Sequence, residues 1–420
     1  MVVVAACAGM AVAQQTVWGQ CAGINYSGST ACTLGTICVY INNWYSQCQP
    51  RTTATTPASA NSSYPTASAN SSCYSTVITS STITANGPAT SPSPSSGKVT
   101  YAGVNIAGFD FGCGTDGTCV VSGADDIVTN SNAVGQMEHF AKDDGLNAFR
   151  LPVGWQFLVN GVVGAPLNAT NFGKYDKLVQ GCLGSGAEMC IVDIHNYARW
   201  NGKIVGQGGP SNADLASVWS QLAIKYASEN KIVFGIMNEP HNIPDIWTWA
   251  DTIQASVTAI RQAGATSQMI LLPGNNYSGA ASFVSSGSAA ALAAITNLDL
   301  STTNLIFDVH KYLDDGSGTS ITCKTNNIDS TFRPLASWLR QNKRMVFNSE
   351  TGGGNTDSCY KYLCEQIQFL NQNADVFLGY TSWAAGGFSS GYALNEVPTL
   401  SGGTWTDQLL VSKCVVGAWK

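Results

Sequence analysis

Two glutamates in this sequence are placed to do chemistry. Glu239 closes the run 232–239 (IVFGIMNE), and Glu350 closes the run 345–350 (MVFNSE). Both runs are apolar and strand-like, as in strands covered on both faces. Pro240 has no N–H to continue a ladder, so the first run must stop beside Asn238 and Glu239. The second stops at its carboxylate and leads into glycines 352–354. One glutamate after an apolar run is ordinarily a loop residue. Two carboxylates at two strand ends suit cleavage of a glycosidic bond, which needs one carboxyl ionised and the other protonated.

The elements that must position this pair are legible as an alternation. Eight strand candidates run 99–107, 148–152, 189–195, 232–237, 269–272, 305–310, 345–350 and 377–383. Helix-like stretches lie between them, among them 215–229, 248–263 and 331–341. Eight β/α alternations over some three hundred residues fit an α/β fold, a (β/α)8 TIM barrel, whose active face is at the carboxyl ends of the strands. Polar and aromatic residues gather at those ends: Arg150, His195 with Asn196, Tyr197 and Trp200, Asn238, Glu239, His310, Tyr312, Glu350 and Trp383. A lone Arg or His in such a place is usually a structural hydrogen-bonder. Six strand ends of eight with such residues are hard to assign to packing.

Composition narrows the class. The chain has 420 residues, a net charge of −6 and only 11% charged residues. Without a basic patch, nucleic acid is excluded as a partner. Fourteen cysteines indicate an oxidising compartment and a disulfide framework. Residues 1–13 read as a secretory signal ending in an Ala11–Ala13 cleavage pattern, too short to span a bilayer. It lacks the usual basic start, as in a truncated leader. The four histidines, His139, His195, His241 and His310, show no ligand spacing, so no metal or other cofactor is expected.

Residues 14–49 form a small module with Cys21, Cys32, Cys38 and Cys48 and with Trp18, Tyr26, Trp44 and Tyr45. So short a segment needs staples, and four cysteines allow three pairings. Rings that a tiny core cannot hide suit stacking on sugar faces. Residues 50–98 are a linker rich in Ser, Thr, Ala and Pro, with the short repeat 58–63 and 67–72, which is expected to stay disordered. Cys73 has no evident partner there. Sequons occur at Asn25, Asn61, Asn70, Asn168 and Asn276. Residues 99–420 hold the barrel.

The module resembles the fungal cellulose-binding modules of carbohydrate-binding module family 1, through residues 18–28 (WGQCAGINYSG), Cys32, Cys38 and residues 42–48 (NNWYSQC). The resemblance implies the pairs Cys21–Cys38 and Cys32–Cys48. It also implies a flat face of Trp18, Trp44 and Tyr45 with Asn42 and Gln47 as polar contacts. Tyr26 would be structural. Ala22 and Asn43 depart from the usual Gly and Pro.

The barrel resembles glycoside hydrolase family 5, among its fungal endoglucanases. The shared wording is 103–113 (GVNIAGFDFGC), 193–201 (DIHNYARWN) and 235–241 (GIMNEPH). The family's eight characteristic positions are filled by Arg150, His195, Asn238, Glu239, His310, Tyr312, Glu350 and Trp383. Asn348 stands at a usually apolar strand position, and Tyr277 where relatives carry Trp. The resemblance implies a retaining mechanism with carboxyls about 5–5.5 Å apart. Glu350 would be the nucleophile and Glu239 the acid and then the base. Arg150 and Tyr312 would bond Glu350, Asn238 the sugar 2-hydroxyl, and His195 and His310 would orient the site. Trp383 would be a stacking platform, with Trp155 and Trp200 either further platforms or core. It also implies the disulfides Cys113–Cys119, Cys182–Cys190, Cys323–Cys359 and Cys364–Cys414. The expectation is a secreted, monomeric endo-β-1,4-glucanase acting on cellulose and soluble β-glucan, with no nucleic-acid or membrane partner. The alternatives are a β-mannanase or xyloglucan-cleaving enzyme on the same barrel, and a non-catalytic cellulose-binding protein.

Overall fold

The computed structural model describes residues 20–22, 29–33, 36–42, 45–50, 97–314 and 318–420, with the backbone alone at 20, 39–42, 45–47, 49 and 50. The expected signal segment, the linker up to residue 96 with Cys73, and Trp18, Tyr26, Asn43, Trp44 and Asn25 lie outside the described residues. Contacts divide the chain into two units, 1–88 and 89–420.

The first unit holds a three-stranded antiparallel sheet in which Tyr45–Pro50 lies between Gln20–Ala22 and Thr36–Asn42. Cys21 is bonded to Cys38 and Cys32 to Cys48. Asn42, Tyr45 and Gln47 lie on its strands.

In the second unit eight parallel strands close into a barrel. They are β1 Tyr101–Ala107, β2 Ala148–Val153, β3 Met189–Ile194, β4 Ile232–Gly235, β5 Met269–Pro273, β6 Leu305–His310, β7 Val346–Thr351 and β8 Phe377–Gly386. β4 is shorter than its apolar run, because beyond Gly235 the chain turns toward the mouth and Asn238 N bonds Ile194 O at 2.8 Å. β8 is longer than its run and continues along β1 as far as Gly386.

The barrel interior explains why the strand ends are chemical. Ala148, Met189, Ile191, Val233, Leu271, Ile306 and Phe347 form one apolar cluster at the lower end. Side chains alternate along a strand, so two residues further on the same face carries Arg150, Asp193, Asp308 and Ser349. The inward row thus changes from apolar to polar as it rises to the carboxyl end. The outward row (Phe149, Val192, Phe234, Phe307 and Val346) joins the larger core against the helices.

Those helices are α1 Ala133–Lys142, α2 Ala169–Ser185, α3 Asn212–Tyr226, α4 Ile246–Gln262, α5 Arg333–Asn342 and α6 Asp357–Gln372. Their starts follow from capping chemistry. Asn168 accepts from Thr170 and Asn171 at the head of α2, and Ser211 with Asp214 makes a capping box for α3. Trp219 on α3 and Trp249 on α4 are fully buried, and their indoles donate to Ile236 O and Pro273 O at 3.1 and 3.0 Å. Truncating either ring would cost about 3–5 kcal/mol. The four barrel disulfides join Cys113–Cys119, Cys182–Cys190, Cys323–Cys359 and Cys364–Cys414. Among the described residues no helix is long and apolar enough to cross a membrane.

Candidate active site

Arg150, on the inward face of β2, organises the mouth of the barrel. It is fully buried, and such a cation must be surrounded by acceptors. One guanidinium nitrogen donates to Glu350 Oε1 at 2.6 Å and to Asn105 Oδ1 at 2.9 Å. The other donates to Asn238 Oδ1 at 2.7 Å and lies 3.0 Å from Asp193 Oδ2. Burial works against its charge, but Asp193, Glu350 and Asp308 raise its pKa above the ordinary value.

Two hydrogen-bond chains run from this centre. With Asn238 Oδ1 already accepting from Arg150, the Asn238 amide nitrogen must face His195, and it donates to Nε2 at 3.1 Å. His195 Nδ1 then carries the proton and donates to Asp193 at 3.0 Å. The second chain passes through His310. Ser349 Oγ donates to Asp308 at 2.5 Å, so it accepts from His310 Nε2 at 2.8 Å. His310 Nδ1 donates to Glu239 Oε1 at 2.8 Å and lies 3.4 Å from Glu350 Oε2. Burial disfavours the imidazolium, but Glu350, Glu239 and Asp308 together push its pKa up to about 9.

The two carboxyls face one another with unequal surroundings. Oxygens of Glu239 and Glu350 and a ring nitrogen of His310 all lie within 4.8 Å of one another. Glu350 also accepts from the Tyr312 hydroxyl at 2.8 Å. Burial alone would raise its pKa, but His310, Arg150 and the Tyr312 hydroxyl pull it below the usual carboxylate value. Burial and the charge of Glu350 raise Glu239, against the opposing pull of His310. Environment therefore sets one carboxyl to stay ionised and the other to hold its proton longer.

Local backbone devices aim these groups. The pairing of β6 with β7 shifts register between Val309 and His310, so His310 pairs with Glu350 rather than Ser349. Such an irregularity re-aims side chains beside a site. Asn348, the polar residue inside β7, serves that irregularity: its amide nitrogen donates to Glu350 O and Val309 O, both at 3.0 Å. Glu239 itself has φ 43°, a strained value for a non-glycine residue. Gly352, after Glu350, has φ +141°, and a Cβ there would lie 3.1 Å from Trp383 O.

Trp383, three residues before the end of β8, is the aromatic wall. Its ring stacks on His195 with centroids 5.5 Å apart, and its indole donates to the Tyr392 hydroxyl at 2.9 Å. Trp155 and Trp200, open between platform and core at the sequence level, are core. Trp155 is fully buried, and Trp200, 9% exposed, packs edge-on against it at 5.0 Å. Tyr277 is the more open ring: 43% exposed, it lies flat on His241 at 4.4 Å.

All eight strand-end residues expected from the sequence thus meet in one connected cluster. Sequence reasoning placed Asp193 and Asp308 at strand ends without giving them a role, and missed Asn105 and Ser349. Their signal was a polar residue at an inward position of a strand buried on both faces. Tyr197, noted at its strand end, brings its hydroxyl to 3.5 Å from His195 Nε2; sequence reasoning missed Tyr392, and both come from loops. It also missed Glu396, fully buried, which accepts a short hydrogen bond from Ser382.

The family described as "Cellulase (glycosyl hydrolase family 5)" matches residues 104–386, and "Fungal cellulose binding domain" matches residues 17–45. The chain is 57% identical over 415 residues to "Endoglucanase EG-II" of Hypocrea jecorina, covering 97% of this chain and 96% of that protein. It is 39% identical over 408 residues to "Manganese dependent endoglucanase Eg5A" of Phanerodontia chrysosporium, covering 96% of each. The crystal structure of Cel5A (EG2) from Hypocrea jecorina superposes with a TM-score of 0.74 at 62% identity, covering 76% of this chain and 98% of that one.

Proposed function

The chain belongs to glycosyl hydrolase family 5, and from that premise we propose that it is a secreted endo-β-1,4-glucanase that hydrolyses internal bonds of cellulose and soluble β-glucan with retention. One observation carries the mechanism: Glu239 and Glu350 approach within 4.8 Å in unequal environments. That spacing suits a retaining pair, whereas an inverting pair stands about 6.5–9.5 Å apart to admit a water.

Glu350 attacks the anomeric carbon, and the glycosidic C–O bond breaks as Glu239 gives its proton to the leaving oxygen. The product is a glycosyl ester on Glu350. Esterification removes the negative charge that had raised Glu239, so its pKa falls and it becomes a base. Glu239 then takes a proton from water, and the hydroxide equivalent attacks the same carbon and releases Glu350. Arg150 and Tyr312 keep Glu350 ionised. The second N–H of the Asn238 amide remains for the sugar 2-hydroxyl. His310 bridges the two carboxyls, and Trp383 offers its face to the sugar.

We assign residues 14–49 to a cellulose-binding module with a face of Trp18, Trp44, Tyr45, Asn42 and Gln47. Residues 1–13 are a signal, 50–98 a linker and 99–420 the catalytic domain. The module holds a monomeric enzyme at the solid surface and raises its local concentration without altering the chemistry.

The test is hydrolysis of carboxymethyl-cellulose and of galactomannan side by side, with Glu350→Gln as the blank. A rapid viscosity drop on the cellulose derivative, absent in the variant, is the expected result. A drop mainly on galactomannan would overturn the substrate. A Glu350→Gln variant with near-normal rates would overturn the mechanism.

A further inference from the structure

A second cluster of ligand-type side chains lies outside the cleft. His139 is on the last turn of α1, and its side chain is 7% exposed. Asp143 and Asp144 follow the helix. Asp407 follows the antiparallel pair Thr399–Ser401 and Thr404–Thr406. His139 Nδ1 is 2.7 Å from Asp143 Oδ2. Its Nε2 is 3.0 Å from Asp407 Oδ1 and 3.5 Å from Asp144 Oδ2. One ring nitrogen of His139 and one carboxylate oxygen each of Asp144 and Asp407 all lie within 4.8 Å of one another.

We propose that His139 Nε2, Asp144 Oδ2 and Asp407 Oδ1 bind one divalent first-row transition cation. Three features beyond the clustering of charge support it. Asp144 Oδ2 is buried and makes no hydrogen bond. With His139 Nε2 at 3.5 Å as an ion-pair neighbour but no hydrogen bond, this carboxylate oxygen is left short of donors, and a cation would satisfy it. The spacing also fits. Ligand atoms about 2.1 Å from a metal stand about 3.0 Å apart on an octahedral edge and about 3.4 Å on a tetrahedral one. Finally, Asp143 already occupies Nδ1, the outer carboxylate that fixes a metal-binding imidazole and raises its basicity.

One imidazole and two carboxylates favour a transition ion over Ca²⁺ or Mg²⁺, which prefer oxygen alone. The ion would replace the proton that Nε2 otherwise shares with Asp407. Asp144 and Asp407 are 13% and 10% exposed, which leaves an entry and room for water ligands. The Trp405 ring stacks on His139 at 5.5 Å and shields the other side.

The bound ion would tie α1 to a segment 268 residues away. The same helix braces the end of β8 through Gln136, which donates to Gly386 O at 3.0 Å and accepts from Gly386 N at 2.9 Å. Three residues earlier is Trp383. The site is therefore a clamp on the C-terminal segment, built from none of the cleft residues.

The experiment uses the full chain stripped with chelator, then titrated with Mn²⁺, Zn²⁺ and Ca²⁺ by calorimetry, with electron paramagnetic resonance of bound Mn²⁺. One transition ion per chain is expected, with a thermal midpoint raised by about 4 °C or more at a hundredfold excess over Kd. Asp144→Asn and Asp407→Asn should each weaken binding at least about tenfold while ion-free hydrolysis of soluble substrate is unchanged. Equal binding by wild type and both variants would overturn the assignment, as would no saturable binding. Loss of binding in Glu350→Gln with retention in Asp407→Asn would move the ion to the cleft. Preference for Ca²⁺ would overturn the transition-ion chemistry.

Discussion

Replacing Glu396 by Gln should stabilise this protein at neutral pH and not in acid. Glu396 is fully buried behind β8. Its Oε1 accepts from Ser382 Oγ, and its Oε2 has no hydrogen-bond partner. Burial pushes its pKa from 4.5 up to about 8, only partly offset by Ser382. The folded state therefore keeps the proton over a range where the unfolded chain releases it. Below about pH 4.5 both states are protonated and nothing is lost. Between pH 4.5 and about 8 the unfolded state gains by ionising, so folding stability falls steadily with pH. At pH 7 the unfolded carboxyl is about 2.5 units above its pKa, a loss of about 3 kcal/mol at 1.36 kcal/mol per unit. Gln cannot ionise, still accepts from Ser382, and is nearly isosteric. Glu396→Gln should thus gain about 3 kcal/mol at pH 7, or about 4–5 °C in Tm for a domain of this size, and close to nothing at pH 4. Thermal unfolding of both proteins at pH 4, 5.5 and 7 in one ionic strength reads this directly. An equal shift at all three pH values, or destabilisation at pH 7, would refute the reasoning.

Because Glu350 is held below and Glu239 above the ordinary carboxylate pKa, kcat/KM should be bell-shaped, with its acid limb below and its alkaline limb above that value. Initial rates across pH check this. Glu239→Gln should lose about 10³-fold on carboxymethyl-cellulose yet still form the glycosyl ester from a substrate with an activated leaving group, seen as a mass increment on the protein. Tyr312→Phe removes a donor to Glu350, so kcat/KM should fall about 10- to 100-fold and the acid limb should move to higher pH, as a pH–rate comparison would show. Thiol counting on denatured, unreduced protein should find no thiol from the twelve bonded cysteines, leaving Cys73, and Cys7 where the leader is retained.

The sequence by itself determined the barrel and the place of Glu239 and Glu350 at its strand ends. Runs buried on both faces and ended by Pro240 or by glycines at 352–354 mark strands whatever their neighbours. The residues just after such runs must lie at one face of a parallel barrel, so Glu239, Glu350, Arg150 and His310 could be grouped before any distance was known. Short-range chemistry also marked the caps of α2 and α3. Only the tertiary structure decided everything that depends on two distant segments meeting. A pattern read along one strand does not tell what lies across the barrel, so Asn105 as a ligand of Arg150, and Asp308 behind His310, were invisible. The same limit left Trp155 and Trp200 open until neighbouring loops covered them. It also hid His139, Asp144 and Asp407, whose spacing along the chain matches no local ligand motif. The unequal pKa values of two chemically identical carboxyls arise from that long-range assembly, because burial and neighbouring charge, not residue type, set which one keeps its proton.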